Sequence, residues 1–162
     1  MNTELLGVIA TYGLTLALAI PLGRYIARVY KGEKHWSDFL LPVERLIYKL
    51  AGVDPGQEMT WKQHLKALLT INLVWFVYGF FVLIFQGKLP LNPDGNAGMT
   101  PDLAFNTVIS FVVNCNLQHY SGESGLTYLT QLVMVMFFQF VSAATGMAAL
   151  AALFVGLRDR TT

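Results

Sequence analysis

In 162 residues this chain carries 54% hydrophobic and only 13% charged side chains. That is about half the charged share of an ordinary soluble domain. The composition excludes a water-soluble globular fold, and a single cysteine excludes an intrachain disulfide. At a formal net charge of +1 no nucleic-acid partner is expected. Three predominantly apolar stretches lack Asp, Glu, Lys and Arg: Leu5 to Gly23, Ala67 to Gly87 and Ser124 to Leu157. Each meets the roughly 18-residue criterion for a membrane span. The expected class is an all-α polytopic membrane protein with three transmembrane helices, organised as one membrane domain over 1–162.

Taken in order, an N-terminal membrane helix is expected within 1–30, from Leu5 to about Tyr30, with Pro21 as a kink site. Met1-Asn2-Thr3-Glu4 lacks the basic start of a signal peptide, and the positive charges follow the span instead. A cytoplasmic and interfacial segment is expected over 31–66. Within it, Phe39 to Leu50 places apolar and charged residues at helical spacing, as in a helix lying at the membrane interface, stopped by Gly52. Asp54-Pro55-Gly56 is a turn, and Thr60-Trp61-Lys62-Gln63 is a capping box that opens the second span. Residues 67–157 then form a helix, pore-helix, filter and helix unit.

Gln86 to Asn96 is a loop by its Gly and Pro content. Thr100-Pro101-Asp102 opens a new helix, with Thr as N-cap, Pro in the first turn and a carboxylate at the positive dipole end. That helix has about a dozen residues, too few to cross a bilayer, and ends near Val113. Between Asp102 and Glu123 lie 20 uncharged residues whose second half is crowded with amides and hydroxyls. An apolar run that turns polar between two longer spans predicts a re-entrant helix followed by an extended filter segment. Irregular backbone survives at membrane depth only where protein or a water-filled cavity surrounds it. Its carbonyls can there replace the hydration shell of an alkali cation. Ser121 to Ser124 breaks the chain and starts the last helix. Its charge-free run of 34 residues would be about 50 Å of helix against a core of about 30 Å, so it must tilt, break or project.

Lys and Arg set the orientation. Ten basic residues fall on one side and only Lys88 on the other, where it joins Glu4, Asp94, Asp102 and Glu123. The N-terminus and the filter loop are expected outside, and the C-terminus in the cytoplasm. The inner side nets +4 and the outer −3. An acidic outer mouth would concentrate cations, although exposed loops carry charge in any case.

The predicted ion ligands are the backbone carbonyls of Val113, Asn114, Cys115 and Asn116, with Gln118 either lining the ion route or bracing the loop. Cys115 and His119 lack a third orienting group for enzymatic chemistry. Asn72, Gln131 and Gln139 are expected to join neighbouring helices, with lining of the pore as the alternative, and the small residues of Ser142 to Gly146 to permit close helix approach.

Leu89 to Pro93, Thr100 to Thr107, Ser110-Phe111-Val112, Asn114, Asn116, Gln118, Tyr120 to Ser124, Tyr128 to Gln131 and Ser142 to Ala148 together resemble the potassium-binding subunit of the Kdp potassium pump. The likeness extends from the first helix to Arg160. It implies a subunit of a bacterial P-type ATPase complex in the inner membrane, working with a pump subunit and small accessory subunits within the lipid bilayer. Such a subunit selects external potassium and delivers it through an intramembrane tunnel; ATP binding and hydrolysis belong to the pump subunit, so no ATP site is expected here. The family's subunit is several times longer, with four pore units around one axis, of which this chain matches the first. A fragment, a split gene product and a truncated one are all compatible with that. The family usually reads Thr-Asn-Thr-Asn-Trp-Gln where this chain reads Val113-Asn114-Cys115-Asn116-Leu117-Gln118. Two hydroxyls are lost but no carbonyl. The alternatives are a stand-alone homo-oligomeric cation channel and a noncatalytic membrane assembly factor.

Overall fold

A computed structural model describes residues 3–159, and every regular element within them is helical. The elements are α1 (Thr3–Lys31), α2 (Leu41–Ala51), α3 (Trp61–Phe85) and α4 (Pro101–Val112). The last, α5, covers residues 128–159 as Tyr128–Thr130, a π-helical stretch Gln131–Met136, and Phe137–Asp159. Short 3₁₀ turns occupy Trp36–Leu40 and Gln86–Lys88, and one isolated helical turn occupies Gly122–Gly125. Thr3–Lys31, Trp61–Lys88 and Tyr128–Arg158 are long and apolar enough to cross a membrane. The all-α polytopic expectation holds at that level.

The chain divides into two compact units, residues 1–58 and 59–162. In the first, α1 closes its own polar accounts: the Thr11 and Thr15 hydroxyls donate to the carbonyls of Gly7 and Thr11, each at 2.8 Å. Lipid offers no partner for such groups, so a spanning helix must satisfy them internally. As expected, α2 stops at Gly52, which adopts φ 64° and donates its N–H to the Tyr48 carbonyl.

The second unit opens with the expected capping box: the Gln63 N–H donates to Thr60 Oγ1, and the Thr60 N–H donates to Gln63 Oε1 at 2.8 Å. α4 packs against both α3 and α5. Ala104, Thr107, Val108 and Phe111 are all buried, at the i, i+3, i+4, i+7 spacing of one helix face. They meet Leu83 of α3 and Met134 and Phe138 of α5. Gly79 makes this fit possible, because a Cβ there would come within 2.9 Å of the Phe138 ring and 3.3 Å of Val108. Between apolar helices in lipid such dispersion packing, rather than water exclusion, supplies the cohesion.

Two expectations about the connections need correcting. Residues 86–96 do not form one irregular loop: Gln86–Lys88 continue α3 as a 3₁₀ turn. Gln86 itself is fully buried. Its Nε2 donates to the carbonyls of Ala97 (2.9 Å) and Gly125 (2.8 Å), and its Oε1 accepts from the Thr127 N–H (3.4 Å). One side chain thus ties the end of α3 to both loops that flank α4. Nor does the last helix begin at Ser121 to Ser124. Glu123 lies on the isolated turn, which ends at extended Leu126, and Thr127 caps α5 by accepting from the Thr130 N–H at 3.2 Å. The break takes residues 124–127 out of the 34-residue run, and the helix that remains, 128–159, is still longer than a core of about 30 Å, so it must tilt or project.

Replacing Gln86 with Leu keeps the volume and strands two carbonyls and an N–H. Leaving buried polar groups unpaired costs about 1–3 kcal/mol each. The Gln86→Leu variant is expected to unfold at lower temperature in lipid, with faster amide exchange confined to residues 97–99 and 125–127.

Candidate functional site

The candidate site begins at the two ends of α4. At its start Thr100 occupies the N-cap position with Pro101 behind it. The Thr100 hydroxyl makes no bond to a first-turn amide, contrary to expectation. The Thr100 hydroxyl, and after it the N–H groups of Asp102 and Leu103, act electrostatically on the Asp102 carboxyl instead. These donors hold the exposed Asp102 carboxyl below its ordinary range.

The far end of α4 terminates in a Schellman motif. The Asn114 N–H donates to Phe111 O (3.1 Å) and the Cys115 N–H to Ser110 O (2.8 Å). The Asn116 N–H converges on the same Ser110 oxygen at 3.0 Å. Asn114 and Asn116 both take left-handed backbone, with φ 56° and 54°, which Asn tolerates better than most side chains. No peptide bond among the described residues is cis, so each C=O points opposite to the N–H of its own plane. The amides of residues 114, 115 and 116 all turn back into the helix end. The carbonyls of Val113, Asn114 and Cys115 must therefore turn away from it. Among the described residues no hydrogen bond ends on these three carbonyls or on that of Asn116. Three successive peptide oxygens, bare and turned away from the helix, are an arrangement that can coordinate a cation.

Side chains of α5 steady this segment. Asn114 Oδ1 lies 3.3 Å from the hydroxyl of Ser142, which also donates to the Phe138 carbonyl at 2.6 Å. Asn116 Nδ2 donates to Gln139 Oε1 at 3.4 Å. Gln118 stands apart from this group and donates to the Tyr120 hydroxyl at 3.4 Å. Burial pushes the Tyr120 hydroxyl pKa up, and the Gln118 contact partly offsets it. Cys115 and His119 are both exposed. Val113, Asn114 and Ser142 border an open groove of about 780 Å³ whose other walls include Asn72, Phe76 and Phe105.

Gln139, expected to join neighbouring helices, meets Asn116 in the segment after α4, and Ser142 takes a supporting role not read from the sequence. The i, i+3 spacing of Gln139 and Ser142 put them on one face of α5, a signal that was available. The expectation of close helix approach across Ser142 to Gly146 holds only in part. Ser142 is buried, but a Cβ at Gly146 would meet nothing within 4 Å. Asn72 donates to Leu68 O within its own helix, and Gln131 to Gly122 O in the preceding turn, so neither joins two long helices.

Residues 9–162 match the family described as Potassium-transporting ATPase A subunit. The chain belongs to this family. Among curated relatives, the potassium-transporting ATPase potassium-binding subunit of Bacteroides thetaiotaomicron is 65% identical over 162 residues, all of this chain and 28% of the relative. The subunit of the same name from Flavobacterium johnsoniae is 64% identical over 163 residues, with the same coverage of both chains. That of Caldanaerobacter subterraneus subsp. tengcongensis is 44% identical over 99% of this chain and 28% of its own length. The chain therefore spans little more than a quarter of the relatives it matches.

For this A-subunit chain the left-handed caps make a specific prediction. Asn114→Gly is expected to preserve thermal stability, since glycine takes positive φ without penalty. Asn114→Val puts a β-branched residue where φ is 56° and is expected to lower stability by about 1–2 kcal/mol, read from thermal unfolding in lipid.

Proposed function

We propose that this chain supplies one potassium-coordinating filter segment of a potassium-binding subunit in an ATP-driven potassium importer. The observation that carries this reading is the run of bare carbonyls at Val113, Asn114 and Cys115, with Asn116 next in line. A potassium ion sheds water only where several oxygens of similar strength replace it, and peptide carbonyls held by a rigid scaffold do so. The C-terminal end of α4 adds a partial negative charge at the same place. Substitution of Val113 and Cys115 for the family's threonines removes hydroxyls but leaves each carbonyl, so potassium remains the favoured cargo. One chain offers one wall of such a site; the other coordinating oxygens come from the rest of the longer subunit, across the open groove. Gln118 braces the segment through Tyr120.

The lysine and arginine distribution supports a multi-pass protein of the bacterial inner membrane, with the N-terminus and filter loop outside and the C-terminus cytoplasmic. Potassium selected at the filter passes through an intramembrane tunnel to a P-type ATPase subunit, which binds and hydrolyses ATP, with small accessory subunits completing the complex.

The test uses the full-length subunit assembled with its ATPase partner, reading the potassium dependence of ATP hydrolysis. Asn114→Val is expected to raise half-saturating potassium about tenfold, the equivalent of about 1.4 kcal/mol. Val113→Thr and Cys115→Thr are expected to leave it unchanged, because they alter no carbonyl. An unchanged potassium dependence in Asn114→Val would overturn the assignment. Potassium currents through the purified subunit without ATP or partner would point instead to a stand-alone channel.

A further inference from the structure

The first unit holds a second feature, independent of the filter. The charge-free run of α1 ends at Gly23, and Tyr25 follows two residues beyond it. The chain leaves α1 at Lys31, yet returns to that level. The Tyr25 ring packs on His35 and Trp36 with centroids 5.6 Å away in each case, and Trp36 packs on Phe39 at 6.3 Å. A polar latch fixes the return. The Tyr25 hydroxyl is 2.8 Å from Ser37 Oγ, Ser37 Oγ is 2.9 Å from His35 Nδ1, and the His35 N–H donates to Asp38 Oδ2 at 3.1 Å. Trp36 and Phe39 nonetheless remain 74% and 68% exposed.

α2 starts directly after this knot and is strongly two-sided. At 100° per residue Val43, Leu46, Ile47 and Leu50 share one arc, and all four are exposed. The opposite arc carries Glu44, Arg45, Tyr48 and Lys49, with Tyr48 hydrogen-bonded to Glu44. On α1, Arg24, Arg28 and Lys31 recur at i, i+4, i+7 and so form one basic stripe. None of the three makes an ion pair among the described residues.

We propose that the α1–α2 corner is a membrane-surface anchor. α2 lies in the plane of the bilayer with Val43, Leu46, Ile47 and Leu50 among the acyl chains, and the Arg24–Arg28–Lys31 stripe takes the phosphates of anionic phospholipid headgroups. Three observations choose lipid over a protein partner as the occupant. The aromatic knot sets the corner at the level where a spanning helix leaves the hydrocarbon. Trp36, largely exposed, is of the residue type enriched at that boundary. The basic stripe is continuous with the span and complementary to anionic headgroups.

The full-length subunit, with its cysteines, Cys115 among them, replaced by Ser, is spin-labelled singly at positions 43, 46, 47, 50, 45 and 49. It is reconstituted in phosphatidylcholine with or without phosphatidylglycerol. Labels at 43, 46, 47 and 50 are expected to show a several-fold higher ratio of oxygen to nickel-chelate accessibility than labels at 45 and 49. Phosphatidylglycerol should deepen them, and the joint change of Arg24, Arg28 and Lys31 to Gln should abolish that deepening. Shielding of 46, 47 and 50 from both oxygen and chelate would mean that protein covers the face, and would overturn the proposal. Equal depths in the two lipids would overturn the headgroup assignment.

Discussion

The N–H groups of Cys115 and Asn116 converge on a single acceptor, the carbonyl of Ser110. The geometry of the candidate site depends on that convergence. Peptide planes are rigid, so aiming three consecutive N–H groups at the end of α4 aims the three attached carbonyls away from it. The cost is left-handed backbone at two positions, and asparagine occupies both. Side-chain chemistry enters mainly as support. Ser142 reaches the amide of Asn114, and Gln139 reaches that of Asn116, so α5 holds the segment without contributing the proposed ligands.

Such an arrangement is useful only if α4 is itself immobile. Its buried face meets α3 and α5 through Gly79, Leu83, Met134 and Phe138, and Gln86 ties together the two loops that enter and leave it. The π-helical stretch Gln131–Met136 lies in the same region, where the Tyr78 hydroxyl donates to the Val133 carbonyl at 2.7 Å. A helix that widens by a residue leaves a carbonyl without its usual partner, and Tyr78 supplies one. Gln86 and Tyr78 thus pair carbonyls near the core of this unit, while the carbonyls of 113–116 accept no hydrogen bond among the described residues.

Much of this could be read from the residues. Charge-free runs located the spans, Thr60 with Gln63 marked the start of α3, and Gly52 marked the end of α2, because each rests on a local rule. The short length of α4 was legible for the same reason. What escaped was long-range. Gln86 looked like a loop residue beside Gly87, and only the fold shows it bridging segments up to 41 positions away. Glu123 looked like the first turn of α5, but Thr127 offered a competing cap that local pattern alone did not rank. The polar residues Gln139 and Ser142 were visible, yet their meeting with Asn116 and Asn114 depends on how α5 packs beside α4.

The central claim is that the peptide oxygen of Asn114 faces a potassium ion. Labelling asparagine carbonyl carbon together with cysteine nitrogen selects Asn–Cys peptides in a solid-state NMR spectrum, and the Asn114–Cys115 signal is the one lost in Cys115→Ser. In the full-length subunit in lipid, exchanging sodium for potassium should shift that carbonyl resonance, while the carbonyl of Ser110, bound to two amides and followed in a second sample labelled at serine carbonyl carbon and phenylalanine nitrogen, stays in place. An Asn114 resonance indifferent to the exchange at saturating potassium would contradict the account.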